Sequence, residues 1–190
     1  MSAAAARPIP PRPGLGALQA RLAEILRVDH AGELAAVHIY RGQQAVFAAG
    51  ASTQPAAADM AEMGAQEADH LKAFDGLLTE HAVRPSLLAP LWRTAGFALG
   101  AATALIGEKA AHACTEAVES VIEEHYAGQI AEIGPREPEL AQRLARYRDD
   151  ELAHRDHAVA QGAHEAPGYA LLSAVIRLGC RAAIKVAEKV

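Results

Sequence analysis

Two short patterns in this sequence could each hold a metal ion: Glu67-Ala68-Asp69-His70 and Glu151-Leu152-Ala153-His154. Residues three apart on a helix share a face, so each pattern can present a carboxylate and an imidazole to one cation. Either pattern alone is weak, because such pairs arise by chance in a chain of this length. Their placement relative to other acids is more specific. An antiparallel helix hairpin brings residues equidistant from its turn to one height. The midpoint of Glu33 and Glu67 falls on Gly50, and the midpoint of Glu119 and Glu151 falls on Pro135. Both lie in turn-forming stretches. Each hairpin therefore sets a lone glutamate beside a Glu-x-x-His. Docking the two hairpins gathers Glu33, Glu67, His70, Glu119, Glu151 and His154 in one core layer.

Four glutamates and two histidines are the ligand set of helical bundles that bind two iron or two manganese ions. Four buried carboxylates without partners would cost many kcal/mol. Two divalent cations balance their charge. Mixed carboxylate and imidazole donors suit iron or manganese better than thiolate-loving metals. The midpoint rule is good only to a few residues. Glu116 and Glu123, on the same helix face as Glu119, stay open as alternatives. A metal-bound histidine usually donates its other ring N–H to an acceptor. The residue before each Glu-x-x-His glutamate is turned about 100° toward a neighbouring helix. On that basis Asp150 is expected to accept from His70, and Gln66 from His154.

Helices must position these groups. Leu22, Leu26, Asp29, Glu33, Val37, Tyr40, Gln44 and Phe47 recur three or four apart and predict a first helix from about Ala17. Gly50 to Pro55 reads as a loop, and a second helix is expected from about Ala56 to Ala82, before Pro85. Leu87 to Gly107 carries one charge, Arg93. Its strictly apolar part is shorter than the roughly 20 residues a membrane span needs. Gly96 and Gly100 form a small-xxx-small pair that permits close helix contact. A single helix from Leu87 to Ile133 would be on the order of 70 Å long, so a break is expected near Gly107. Gly134-Pro135 precedes a fourth bundle helix, about Pro138 to Gln161. The last helix, Tyr169 to Val190, carries a basic stripe at Arg177, Arg181, Lys185 and Lys189. Its other side is apolar (Leu171, Leu172, Val175, Ile176, Leu178, Val186), which suits a membrane surface or a docking helix.

The fold class expected is all-α: a four-helix bundle of two hairpins, an apolar segment before the third bundle helix, and a C-terminal amphipathic helix. Residues 1–16, with four prolines, are expected to be a disordered leader ahead of one domain over 17–190. Membrane-surface helices are expected at about 87–107 and 169–190. A net charge of −5 argues against a nucleic-acid partner. Cys114 and Cys180 form no short-spaced pair, which excludes a zinc knuckle or disulfide framework.

Val28-Asp29-His30-Ala31-Gly32-Glu33 with Ile39-Tyr40-Arg41-Gly42-Gln43 resembles the opening of the demethoxyubiquinone hydroxylases. Glu67 to Phe74, Ala113 to Glu119, His125 to Ile130 and Arg148 to Asp156 are similar to that family's later helices, as is Gly179 to Ile184. The resemblance implies a ferritin-like di-iron monooxygenase of ubiquinone biosynthesis. Such an enzyme hydroxylates a ring carbon of a polyprenyl methoxy-benzoquinone. It implies two Fe2+ ions per chain, O2 as co-substrate, and an external electron donor such as one fed by NADH. It implies Glu119 as the third-helix ligand and places His125 and Tyr126 near the site as catalytic candidates. It further implies a membrane lipid surface as a partner, with room for a protein that donates electrons or presents the lipid. The cytoplasmic face of a bacterial inner membrane is expected ahead of the mitochondrial inner membrane. Hydroxylating a ring C–H needs an oxidant that no side chain supplies, in keeping with a metal cofactor. The rival reading is a ferritin-like iron-storage or iron-detoxifying protein, which would use the same six ligands.

Overall fold

The computed structural model describes residues 15–189. The expected leader falls outside the described residues, apart from Leu15 and Gly16, which already belong to the first helix. Six helices follow: α1 (Leu15–Phe47), α2 (Gln54–Glu80), α3 (Ala89–Ile106), α4 (Glu108–Ile133), α5 (Pro138–Ala160) and α6 (Tyr169–Ala187). Short 3-10 turns occupy Ala51–Thr53 and Ala163–Glu165.

Local chemistry sets the boundaries. Pro55 and Pro138 sit in the first turns of α2 and α5, where a missing N–H costs nothing. The loop expected through Pro55 is thus shorter, because proline starts the helix rather than delaying it. Leu87 and Leu88 stay in a turn, and Pro90 opens α3. The expected break falls on Gly107, whose φ of 141° and ψ of 171° suit only glycine.

Cross-helix contacts fix the directions. Tyr40 meets Glu119, and Tyr126 meets Glu33, so α4 runs antiparallel to α1. His70 meets Asp150 and His157 meets Asp59, so α5 runs antiparallel to α2. The four helices are up, down, down, up. Joining α2 to α4 requires a connection along the whole bundle, and α3 is that connection. It lies parallel to α1 at very short range. A Cβ on Gly100 would stand 2.0 Å from the Ile39 carbonyl oxygen, and one on Gly96 2.5 Å from that of Ala35. From the other side, a Cβ on Gly42 would stand 2.3 Å from the Phe97 carbonyl oxygen.

Helix α6 lies parallel to α4, and its orientation departs from the expected amphipathic pattern. Arg177 reaches Glu116 at 2.5 Å and Arg181 reaches Glu124 at 3.0 Å, so part of the basic stripe turns toward the bundle. Leu171, Val175, Leu178 and Val186 are exposed, while Ser173 and Ile176 are buried. Acidic partners on α4, invisible to a single-helix projection, decide this rotation.

Two apolar clusters fill the bundle. One holds Ile25, Leu26, Phe74, Leu77, Ile133 and Leu144; the other holds Phe47, Ala57, Met60, Met63 and Ala111. Between them lies a polar layer.

Candidate metal centre

That polar layer is built from four helices. Glu33 comes from α1, Glu67 and His70 from α2, Glu119 from α4, and Glu151 and His154 from α5. All six are buried. Two overlapping groups result, each with donor atoms within 4.8 Å of one another: Glu33, Glu67, His70 and Glu151; and Glu67, Glu119, Glu151 and His154. Glu67 and Glu151 belong to both. The two groups thus share two carboxylates, and each is completed by one lone glutamate and one histidine.

The imidazoles aim their Nδ1 atoms inward. His70 Nδ1 lies 3.6 Å from Glu33 and 3.5 Å from Glu151. His154 Nδ1 lies 2.9 Å from Glu67. Their Nε2 atoms point outward: His70 to Asp150 at 3.1 Å, and His154 to Gln66 at 2.6 Å. Those acceptors fix which ring nitrogen faces the centre.

Inside the layer, Glu33 Oε2, Glu67 Oε1, His70 Nδ1, Glu119 Oε2, both Glu151 oxygens and His154 Nδ1 are buried without an aligned hydrogen-bond partner. Such atoms are costly unless something else binds them. Each of the six residues contributes at least one such atom, and the donors are hard oxygen and borderline nitrogen. The set fits two divalent cations such as iron or manganese.

The protonation balance without metal points the same way. Burial pushes the carboxyls of Glu67 and Glu119 well above the usual range, and mutual repulsion with Glu151 adds to it. Glu151 is raised too, chiefly by burial. Burial pulls the His70 imidazole down, but the carboxylates of Glu151 and Glu33 beside its Nδ1 outweigh it and carry it up to about 12. Protons thus stand where cations would.

Two tyrosines lock the lone glutamates. Tyr126 donates to Glu33, and Tyr40 donates to Glu119 at 2.8 Å. Burial raises both phenols far above their ordinary value, so they stay protonated donors. Tyr126 therefore touches the centre. His125 turns instead to Asp29 at 3.3 Å, with Gln129 2.8 Å away. Asp29 lies one turn before Glu33, and burial raises its pKa despite the opposing bonds to His125 and Gln129.

The open alternatives are placed elsewhere. Glu116 points out of the bundle and accepts from Arg177, Tyr169 and Ser173. Glu123 faces Arg148 at 3.9 Å. Tyr40 and Asp29 lie on the periodic face of the first helix, but that periodicity does not mark them as site residues. A signal existed: Tyr40-Arg41-Gly42-Gln43 begins seven residues after Glu33, and Tyr126-Ala127-Gly128-Gln129 begins seven after Glu119.

A narrow apolar groove of about 90 Å³ runs between α3 and α6 over the outer faces of α1 and α4. Gly32, Ala36, Trp92, Val118, Ile122 and Ile184 line it. Gly32 and Val118 are chain neighbours of Glu33 and Glu119. A larger cavity of about 680 Å³, beside Gln19, Arg27 and Arg84, touches none of the six residues.

Residues 20–187 match the family described as Ubiquinone biosynthesis protein COQ7. The chain is 46% identical over 178 residues to a 3-demethoxyubiquinol 3-hydroxylase of Rhodospirillum rubrum, covering 94% of this chain and 82% of that protein. It is 45% identical over 175 residues to the human mitochondrial NADPH-dependent 3-demethoxyubiquinone 3-hydroxylase, covering 90% of this chain and 79% of that one. A 5-demethoxyubiquinone hydroxylase of Saccharomyces cerevisiae mitochondria is 40% identical over 185 residues, covering 89% of this chain and 78% of that one.

Proposed function

The chain belongs to the Ubiquinone biosynthesis protein COQ7 family, and on that premise we propose that it hydroxylates a ring carbon of a polyprenyl methoxy-benzoquinone at a di-iron centre, using O2 and external reducing equivalents. One observation carries the reading: six buried ligand residues form two groups that share Glu67 and Glu151 and leave their inward atoms unpartnered. Glu33 and His70 would hold one iron, Glu119 and His154 the other, and Glu67 and Glu151 would bridge them. When bound, a pair of ferrous ions supplies the O2 activation that side chains cannot.

The chain's own residues do the rest. Asp150 and Gln66 orient the imidazoles. Tyr40 and Tyr126 hold the lone carboxylates in place and keep a proton beside each. Leucine, isoleucine and phenylalanine on one side of the layer, and methionine, alanine and Phe47 on the other, exclude water. Asp29 and His125 form a polar path from the Glu33 side to a partly exposed imidazole, a route for protons. The apolar groove between α3 and α6 suits the polyprenyl tail, with the ring at its floor beside Glu33 and Glu119.

We place the protein at a membrane surface, on the cytoplasmic face of a bacterial inner membrane. No helix among the described residues is long and apolar enough to cross a membrane. Leu105, Leu171 and Leu178 are nevertheless at least 70% exposed, on the two helices that flank the groove. That exterior supports shallow lipid contact. Iron storage would need neither the groove nor the apolar exterior. Reduced nicotinamide, directly or through a partner, is the electron source this reading favours.

The test is iron analysis with quinone mass spectrometry. Wild-type protein should bind two irons per chain and convert the methoxy-benzoquinone to its hydroxylated product in cells that otherwise accumulate it. Glu119→Ala should lose iron and product together, whereas Glu116→Ala should keep its iron. Full iron and full activity in Glu119→Ala would refute the ligand assignment. Failure to bind liposomes carrying the quinone would refute the membrane placement.

A further inference from the structure

The apolar groove between α3 and α6 holds about 90 Å³. A site for a small organic molecule usually encloses about 300 Å³ or more. A substituted quinone ring therefore enters only if a wall moves. Three of the four walls are fixed. Helices α1 and α4 form the floor and carry Glu33 and Glu119. Helix α3 is seated on α1 by backbone contact at Gly42, Gly96 and Gly100. Trp92, its residue in the groove, is pinned by an indole N–H that donates to the buried Ser86 hydroxyl at 3.1 Å.

Helix α6 is held unevenly. Its first half is anchored: Tyr169 and Ser173 donate to the buried Glu116 at 3.1 and 3.2 Å, and Arg177 joins them. Beyond Arg177 the one hydrogen-bonded tie to another helix, among the described residues, is Arg181 to Glu124 at 3.0 Å. Those side chains are 53% and 59% exposed, and so exposed a pair holds weakly. The remainder covers the groove with Cys180, Ala183, Ile184 and Ala187. Between the two halves stands Gly179. A Cβ there would meet nothing within 4 Å, so no close packing requires a glycine. A glycine inside a helix weakens it locally. This one lies where the anchored half meets the covering half.

We propose that residues 179–187 of α6 are a lid, which bends away at Gly179 while Glu116 holds the first half, and so admits the quinone ring between Ile184 and the floor of the groove. This rests on the reading of the groove as the quinone's site. Lifting the lid parts Ile184 and Ala187 from Val28, Ala31 and Trp92. It disturbs no ligand residue directly, because none of the six lies on α6. Hinges of this kind lie away from the chemistry and set how fast a substrate arrives.

Two reporters stand in the groove. Cys180 lines it, and burial pushes its thiol up to about 11, so it reacts slowly until the lid lifts. Trp92 is the chain's one tryptophan. The test uses the iron-loaded, full-length protein. Maleimide labelling, assigned by peptide mass spectrometry, should reach Cys180 well before Cys114, which is fully buried and reports global unfolding. Gly179→Ala should slow Cys180 labelling about two- to fivefold, the factor by which alanine favours a helix over glycine. Ile184→Ala, which removes lid contacts, should speed it. A polyprenyl methoxy-benzoquinol, kept reduced so that it does not alkylate the thiol, should quench Trp92 in stopped flow. Gly179→Ala should slow that quenching by the same factor with iron content unchanged. Equal Cys180 labelling in Gly179→Ala and wild type, or Cys180 labelling no faster than Cys114, would overturn the lid. Slowed labelling with no quenching of Trp92 would instead refute the quinone's use of the groove.

Discussion

The half formed by α1, α2 and α3 and the half formed by α4, α5 and α6 solve the same chemical problem with different scaffolding. Chemically they mirror each other. Each supplies a lone glutamate, a Glu-x-x-His and a Tyr-x-Gly-Gln, and each tyrosine bonds the other half's lone glutamate. The outer helices are attached in unlike ways. Helix α3 is seated on α1 by backbone contact at Gly42, Gly96 and Gly100. Helix α6 is tied to α4 by the buried Glu116 and its partners Arg177, Tyr169 and Ser173. The halves also differ in what supports the histidine: a carboxylate, Asp150, for His70, and an amide, Gln66, for His154. On the proposed di-iron reading, ligand geometry is duplicated because each cation position would need the same donors, whereas the packing around it is free to differ.

The sharpest break in the comparison lies at the glycines. Any Cβ at position 100 or 42 collides with backbone, which cannot rotate away. Gly100→Ala and Gly42→Ala should each destabilise the protein by about 1–3 kcal/mol, a fall of roughly 2–12 °C in Tm for a chain of this size. A thermal melt that leaves Tm unchanged would mean α3 is not seated this closely.

A somewhat smaller effect should separate the two histidine partners. Asp150→Ala removes a charged acceptor and should lower iron affinity about 10–100-fold. Gln66→Ala removes a neutral one and should cost less than about tenfold, since hydrogen bonds to charged groups are worth roughly twice as much. Competition against a chelator would measure both. Equal losses would show that the difference between carboxylate and amide has no consequence for the metal.

The sequence makes the bundle legible because its signals are local and periodic. Apolar spacing predicts α1, turn residues and prolines bound α2, α4 and α5, and hairpin midpoints bring Glu33 to Glu67 and Glu119 to Glu151. The positions of Asp150 and Gln66 follow from the step of about 100° between adjacent residues of a helix. Long-range choices are less legible. Nothing within α6 says that Arg177 faces inward, because Glu116 lies 61 residues away. Likewise, spacing alone cannot choose Glu119 over Glu116, which share a face. The choice depends on what waits on each side, a carboxylate layer or α6. The repeated Tyr-x-Gly-Gln carries the signal for Tyr40, visible only when the two halves are set against each other.

Removing the metal should expose a dependence on pH. In the metal-free protein, burial raises the carboxyls of Glu67, Glu119 and Glu151, and His70 is carried up to about 12. Groups whose folded pKa is raised contribute stability below their unfolded pKa and lose it as pH climbs toward the folded value. Carboxyls begin to lose it above about 4.5 and His70 above about 6.5. The metal-free protein should therefore lose at least about 1 kcal/mol between pH 5 and 8, one pKa unit being 1.36 kcal/mol. Metal loading should release protons and flatten the profile. Urea titrations at each pH, with and without Fe2+ under anaerobic conditions, would check it. A metal-free protein that is more stable at pH 8 would contradict the sign.

The smallest effect belongs to the mirror image of the first substitution. Gly128 occupies the place in α4 that Gly42 occupies in α1, since each is the third residue of Tyr-x-Gly-Gln. Yet a Cβ at 128 would meet nothing within 4 Å, and the residue is exposed. No neighbouring helix presses on it, because α6 crosses α4 elsewhere. A glycine inside a helix costs up to about 1 kcal/mol relative to alanine through backbone entropy. Gly128→Ala should therefore stabilise the protein by about 0.5–1 kcal/mol, opposite in sign to Gly42→Ala. Both positions lie two residues after a tyrosine that bonds a lone glutamate, so proximity to the centre is matched. If both alanines destabilised alike, the glycines would be serving the centre itself, and the unlike attachment of α3 and α6 would have to be abandoned. Opposite shifts in paired thermal melts would tie the difference to the close seat of α3 on α1.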